Sequence, residues 1–565
     1  MPFATDAPPV PQSTRFLAAA LVLFIVLTAV MTYPQVLRMR DGVDDVGDPL
    51  LNTWTIAWIA HQLPFAPAHL LDGNIFYPER RTLAYSEALL LPGFVVAPFL
   101  WAGAGPIFAY NLLFLSALVF SGLGATLLVY ELTGEKGAAI VAGIIFAFLP
   151  FRMAHYSHMQ LQQTQFIPLT MWALHRVMRS GRLANGMMLG AFAACQMLSC
   201  LYFGLFLIPY AAVVALVLML SEMRLVSIDQ GMLLSYDRRL MRRRLLALAA
   251  AGAVCLLLVA PEGRAYAAAR SVVGERTAQD VVSGSASLSD YLATADTNAL
   301  YGRWSDYFGQ YEEHRLFPGV LAIVLALVAL WPPVSRVRLA YAVALVIAFD
   351  MSFGFSGLTY RLLWNYVLPF RGLRVTARMG LMVGFSLAVL AGFGVARLSA
   401  AMPSKTARSL LQLTLVVLLL AEYRSKPLQF TTIPQAPPAV YADLLRDRGD
   451  TPDVAIVELP ISREDPTLMY YSTFHWQNLL NGYSGFSPPT FPKLVAVLQS
   501  FPDQTSILEL RRRGTRYVVI HGELLAPDEY AQLVAAADRS ADLNLVVRRP
   551  WEGQEISLYR LALDR

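Results

Sequence analysis

The chain has 565 residues, of which 56% are apolar and only 15% charged, with a formal net charge of +5. Soluble domains carry about 25% charged residues, so this composition argues against an ordinary soluble protein and predicts a polytopic membrane protein. The positive balance does not point to nucleic acid, because the arginines sit in short loops between apolar runs rather than on a basic surface with stacking groups.

The first apolar run, Phe16 to Thr32, has a single Arg15 before it and no small-residue cleavage site, so it reads as a retained span. An acidic loop follows at residues 41–50, DGVDDVGDPL, with Asp41, Asp44, Asp45 and Asp48. Clustered carboxylates beside a membrane cost solvation free energy unless they bind a cation or take part in chemistry. Asp44 and Asp45 suit a solvated turn. Asp48 stands before Pro49 at the start of a helical pattern, where it serves either as a rigidly held functional carboxylate or as an N-cap. In that pattern, residues 50–63, Trp54, Trp58 and His61 recur at helical spacing, which predicts a helix lying in the interface with its indoles at headgroup depth.

Residues 88–104 are apolar but interrupted by Pro92 and Pro98. An interfacial or re-entrant helix is expected there, inside a long first outer loop at 34–106. Further runs at 107–129, 245–260, 320–331, 379–396 and 410–421 belong to a total of about eleven to twelve transmembrane helices. Arginine groups at 176–182, 224–244, 336–338 and 397–408 mark cytoplasmic loops. Segments 151–159, 262–317, 355–378 and everything past 423 then lie on the exoplasmic face. The expected organisation is a bundle over residues 1–422 and a C-terminal exoplasmic α/β domain over 423–565. In that domain 454–460, 516–521, 543–549 and 556–563 read as strands, with two amphipathic helices between them. Cys195, Cys200 and Cys255 lie in apolar helices and read as packing residues.

No phosphate loop, dinucleotide fingerprint, zinc-protease helix or nucleophile elbow is present in the sequence. Candidate chemistry therefore lies in the outer loops. In FRMAHYSHMQLQQTQ, His155 and His158 are three apart and Gln162 follows; they fit either phosphate donors and metal ligands or an interfacial polar cap. In FRGLRVTAR, Arg371, Arg374 and Arg378 precede a span on the outer side. Guanidinium groups there suit a lipid-linked phosphate, or they anchor ordinary headgroups. Glu79, Glu87, Glu312, Glu313 and His314 are weaker candidates, with structural roles expected. The segment holding His475, Trp476 and Tyr483 is rich in aromatics and amides, fit either to bind a sugar acceptor or to dock the domain.

The succession GDPLLNTWTIAW, LLLPGFVVAPFLWAGAG and FRMAHYSHMQ, followed by a C-terminal outer domain, resembles the GT-C superfamily of membrane glycosyltransferases, which includes protein O-mannosyltransferases and aminoarabinose transferases. The FHWQNLLNGYSGF segment is similar to one shared by a bacterial branch of membrane proteins. The resemblance implies a polyprenyl-phosphate-linked sugar as donor, a glycan, lipid or protein acceptor, and Asp48 as base or metal ligand. A divalent cation, Mg or Mn, would fall to Asp48, His155 and His158. Two departures stand out: the family's adjacent acidic pair is not at Asp48, and histidines replace the acidic residue of the second outer loop. Without a transfer reaction, the same scaffold would serve as a lipid-linked glycan carrier or a transporter.

Overall fold

The computed structural model describes residues 14–562 apart from 223, 229, 230, 309, 310, 452 and 463. The chain forms two compact units. The first comprises residues up to Leu37 with Leu112–Ala260 and Glu275–Gln429; the second comprises Arg38–Asn111, Pro261–Gly274 and the segment from Phe430 onward. The first outer loop is thus grouped with the C-terminal segment.

Seven helices among the described residues are long and apolar enough to cross a membrane, and Leu90–Trp101, Leu183–Ser199 and Val320–Leu330 are shorter apolar helices. Burial sorts them. In Lys136–Ala154 and Thr376–Ala400 the most apolar stretch is 89% buried, whereas in Thr14–Met31 and Lys405–Tyr423 it is 22% buried. The first pair is central, and the second leaves residues such as Val22, Val30, Leu413 and Val417 exposed. Apolar surface of that extent is stable only in hydrocarbon, as expected of a multi-pass membrane protein. Close helix contact within the first unit depends on small residues: a Cβ at Gly394 would stand 2.0 Å from the carbonyl oxygen of Leu325. Four arginines of the basic loops read from the sequence meet two glutamates. Arg176 and Arg179 meet Glu131, and Arg244 and Arg336 meet Glu222.

In the second unit a five-stranded sheet runs in the spatial order Asn478–Leu479, Ala455–Leu459, Thr515–His521, Gln554–Leu561 and Leu543–Trp551. The first three strands are parallel, and the last two pair antiparallel. Val457, Leu459, Val518 and Ile520 bury one face against Leu494, Leu498, Ile507 and Leu510 of two helices. These helices, Thr490–Leu498 and Gln504–Arg512, are the amphipathic pair expected from the sequence, and Gly514 follows the second with φ of 72°. A short antiparallel ladder joins Gly42–Val43 to Thr431–Thr432.

The helix Asp48–Gln62 departs from expectation. Its residues Pro49 through Ala60 are buried, and Trp54 and Trp58 are 1% and 4% exposed. Their indole N–H groups donate to Asn74 Oδ1 at 3.0 Å and to the Leu70 carbonyl at 3.1 Å. The indoles therefore do not turn to headgroups; the helix is a core element of its unit, packed against Leu90–Trp101 and Asp465–Ser472. Leu90–Trp101 has 12 residues, about 18 Å of helix, short of the roughly 30 Å of hydrocarbon.

Candidate functional site

In the second unit, the four loop aspartates part company. Asp41 pairs with Arg38 at 3.0 Å, and Asp45 accepts the Gly47 N–H at 2.6 Å. The N-cap of the helix is Gly47, which has no side chain, and Asp48 is the first helical residue. The Asp48 carboxylate is half-buried and receives the Tyr483 hydroxyl on Oδ1 at 3.0 Å. Two candidates named for separate reasons, one at each end of the chain, thus meet. Tyr483 is 40% exposed, so the pair stands at a surface where a solute can reach it.

The neighbours of Tyr483 in sequence behave otherwise. His475 is buried, stacks on Tyr441 with ring centroids 4.8 Å apart, and accepts the Gln477 N–H on Nδ1 at 3.1 Å. Burial pushes its imidazole down to about 4. It offers no face to an acceptor. Trp476 adopts a left-handed backbone with φ of 54°, which turns its ring onto His61 at 4.3 Å and against Trp58 at 5.8 Å. That ring packs the loop onto the buried helix.

Beneath this surface Asn481 donates to Asp465 at 2.9 Å and to the Glu458 carbonyl at 2.9 Å. Burial raises the Asp465 carboxyl to about 6, against the hydrogen bonds of Asn481, Ser462 and Gly482. These bonds fix the strand-to-loop turn from which Tyr483 projects.

The first unit holds a different cluster. His155 is fully buried; its Nδ1 lies 2.9 Å from the Phe151 carbonyl and its Nε2 3.0 Å from Glu313 Oε2. Arg378 donates from Nε to Glu313 Oε2 at 3.0 Å and from Nη2 to Oε1, and its guanidinium lies over the Tyr202 ring, 4.7 Å from the centroid. Burial opposes ionisation of Glu313, yet the Arg378 charge and the His155 hydrogen bond outweigh it and hold the carboxyl well below its ordinary value. The neighbouring residues follow suit: His158 Nδ1 stands 3.7 Å from Glu312 Oε2, and His314 Nδ1 stands 2.9 Å from Asp290 Oδ2. Glu312 and Glu313, expected to be structural, tie this loop to the candidate histidines and arginine, while His314 ties it to Asp290.

The three candidate arginines are unequal. Arg371 spends its guanidinium on the Trp364 and Asn365 carbonyls at 3.2 and 3.3 Å. Arg374 is exposed, and its backbone N–H donates to Tyr202 Oη at 2.8 Å. Arg374 and Arg378 therefore share Tyr202, while Arg371 braces its own loop. Gln162 is buried and clamps Arg152: its Oε1 accepts from Arg152 Nε at 3.1 Å, and its Nε2 donates to the Arg152 and His155 carbonyls. It shapes the loop behind His155, and Arg152, not singled out by the sequence, is its partner.

A divalent cation does not fit these residues. Both ring nitrogens of His155 are already engaged. Among the described residues no group of three His, Cys, Asp or Glu side chains stands close enough to hold a metal ion. No step below is routed through one.

No family model matches the chain, and no curated protein matches it. Among solved structures, the arabinofuranosyltransferase AftD from Mycobacteria is similar with a TM-score of 0.64 at 16% identity, over 99% of this chain and 41% of that one. The chain thus spans about two fifths of that relative's length. An oligosaccharyltransferase from Archaeoglobus fulgidus in the apo form gives 0.48 at 12% identity, over 93% of this chain and 72% of that one. ArnT from Cupriavidus metallidurans bound to undecaprenyl phosphate gives 0.46 at 14% identity, over 97% of each chain. Identities this low bear on architecture alone, and the first match carries it: the chain shares the fold of that arabinofuranosyltransferase over nearly its whole length, in keeping with the architecture that the resemblance in its sequence implied.

Proposed function

We propose that the protein is a membrane glycosyltransferase that moves a sugar from a polyprenyl-phosphate-linked donor to an acceptor hydroxyl at the outer face of the cytoplasmic membrane. The observation that carries this is the accessible Asp48 carboxylate, fixed at a helix start and oriented by Tyr483 Oη at 3.0 Å. In this reading Asp48 takes the acceptor hydroxyl proton, the acceptor oxygen bonds to the anomeric carbon, and the bond from that carbon to the phosphate oxygen breaks. The leaving polyprenyl phosphate departs as an anion received by Arg374 and Arg378, with His155 beside them. Because the leaving group already carries charge, the rate would come mainly from positioning and electrostatic stabilisation.

The distribution of arginines along the sequence, with basic groups in the loops read as cytoplasmic, supports an outward-facing reaction and an exoplasmic C-terminal domain. The short helix Leu90–Trp101 supports the same topology; the seven long apolar helices and the two other short ones give nine candidate spans among the described residues, against the eleven to twelve expected. The fold neighbour AftD is named an arabinofuranosyltransferase, so pentofuranosyl donors take first place in an assay alongside hexosyl ones.

The test is sugar transfer from polyprenyl-phosphate donors in membranes, comparing the native chain with Asp48→Asn. Transfer by the native chain and its loss in the variant is the expected result. Equal activity in both removes Asp48 as the base, and no transfer by either across several donors favours the carrier reading.

A further inference from the structure

A carboxylate of the first unit, Glu313, sits where the proposed function needs an anion other than its own. Glu313 presents both oxygens to the Arg378 fork and one of them also to His155 Nε2 at 3.0 Å. A guanidinium on two oxygens with an imidazole N–H on one is also how proteins hold a phosphate. Further positive charge is near. Arg374 shares Tyr202 with Arg378 through the backbone, and burial together with the charge of Arg374 lowers the affinity of Arg276 for its proton. Arg276 thus feels the charges of Arg374 and Arg378, with the Asp280 carboxylate also acting on it, and the carboxylate bonded to Arg378 is Glu313.

The segment that delivers Glu313 is held mainly by charge. It is a single turn of 3-10 helix, Glu312–His314, with no buried residue. Tyr311 before it is 72% exposed. Among its other side-chain anchors are the His158–Glu312 pair at 3.7 Å, the His314–Asp290 pair at 2.9 Å and His314 Nε2 at 3.2 Å from the Ser283 carbonyl. Pulling Glu313 away would ordinarily leave a buried cation without a partner, which is strongly unfavourable. An incoming phosphate removes that cost by taking the same seat.

We propose that Glu313 is a resident stand-in for the donor phosphate on Arg378 and His155, displaced when the donor binds and returning as the product leaves. This rests on the donor reading above and assigns Glu313 as a positioning residue. The exchange is balanced for the donor, since a phosphodiester carries one negative charge, as Glu313 does. The product, a phosphomonoester, carries about 1.5 to 2 negative charges near neutral pH and would bind the arginines more tightly, so the returning carboxylate assists its release.

The experiment uses the full-length protein in lipid nanodiscs and a polyprenyl monophosphate as probe. Glu313→Gln keeps the shape but removes the competing charge, so it is expected to bind the probe about ten-fold more tightly, with a lower KM and a lower kcat for transfer as product release slows. Asp528→Asn, at an exposed carboxylate of the second unit, is the control and leaves binding unchanged. In the native chain, amide hydrogen exchange across residues 311–316 is expected to rise when the probe binds, a readout that does not depend on the variant folding. Equal or weaker binding by Glu313→Gln, or bound probe with unchanged exchange, overturns the inference while leaving the donor reading in place. Absence of probe binding by the native chain and both variants overturns the donor reading, and this inference with it.

Discussion

Asp48 and Glu313 are both candidate-site carboxylates, and their surroundings give them opposite chemistry. Asp48 lies half-buried at a helix start and accepts a neutral tyrosine hydroxyl. Glu313 is clamped by a guanidinium and an imidazole that are themselves buried. A carboxylate under a cation is a poor proton acceptor, because the same charge that stabilises the anion would be lost on protonation. One accessible to solvent with a neutral donor can be oriented without that penalty. The proposed roles, proton transfer at Asp48 and anion handling at the Glu313 cluster, draw on this contrast.

The sharpest way to break the contrast is to exchange charge for shape at each site. Asp48→Asn is expected to lower transfer by about 100- to 10,000-fold, the usual contribution of a general base. Its thermal stability should stay within about 0.5 kcal/mol of the native chain, as for a surface change that keeps the side chain's shape. A large loss of stability in that variant would mean that Asp48 is structural.

Arg378→Gln should do the reverse to stability. It leaves the Glu313 carboxylate enclosed beside His155 without its principal cation, at a cost of about 3 kcal/mol. The check is thermal unfolding of the purified protein, where an unchanged midpoint would place the pair among ion pairs that contribute nothing measurable.

Acid provides a third test, of similar sign but smaller size. The Glu313 carboxyl titrates well below 4.5 in the folded protein, and an unfolded glutamate titrates near that value. The folded state therefore binds this proton more weakly, and the stabilisation is fully present above about pH 4.5 and is lost as pH falls through the folded value. Native unfolding midpoints should decline with acidification below that point more steeply than those of Glu313→Gln. Parallel curves would show that the clamp does not set the acid response.

The sequence made some of this legible. Asp48 stood out because Pro49 and the apolar pattern behind it mark a helix start, and the strands of the C-terminal sheet are short β-branched runs between turn residues. The burial of Asp48–Gln62 was not legible, because tryptophans at helical spacing read alike for an interface and for a core; the distinction lies in Asn74 and Leu70, which accept their N–H groups. Glu313 was hidden for a related reason. Its partners lie 65 and 158 residues away, and an acidic pair in a polar loop gives no local sign of what it will meet. The inequality of the three arginines had the same origin, since spacing places them together but only the fold gives Arg371 two carbonyls of its own loop.

The smallest effect separates positioning from participation at Asp48. Tyr483 reaches Asp48 across 435 residues of sequence and supplies one hydrogen bond. Such a bond is worth about 0.5 to 1.5 kcal/mol net, so Tyr483→Phe should reduce transfer by about 2- to 10-fold. If the hydroxyl acts only by orienting Asp48, it has nothing left to orient once the carboxylate is replaced. The double variant Asp48→Asn with Tyr483→Phe should then be no slower than Asp48→Asn alone. Multiplicative losses would instead mean that Tyr483 contacts the acceptor in its own right. That result would assign the tyrosine to acceptor binding, which the sequence suggested for it, and leave Asp48 to be held by its helix.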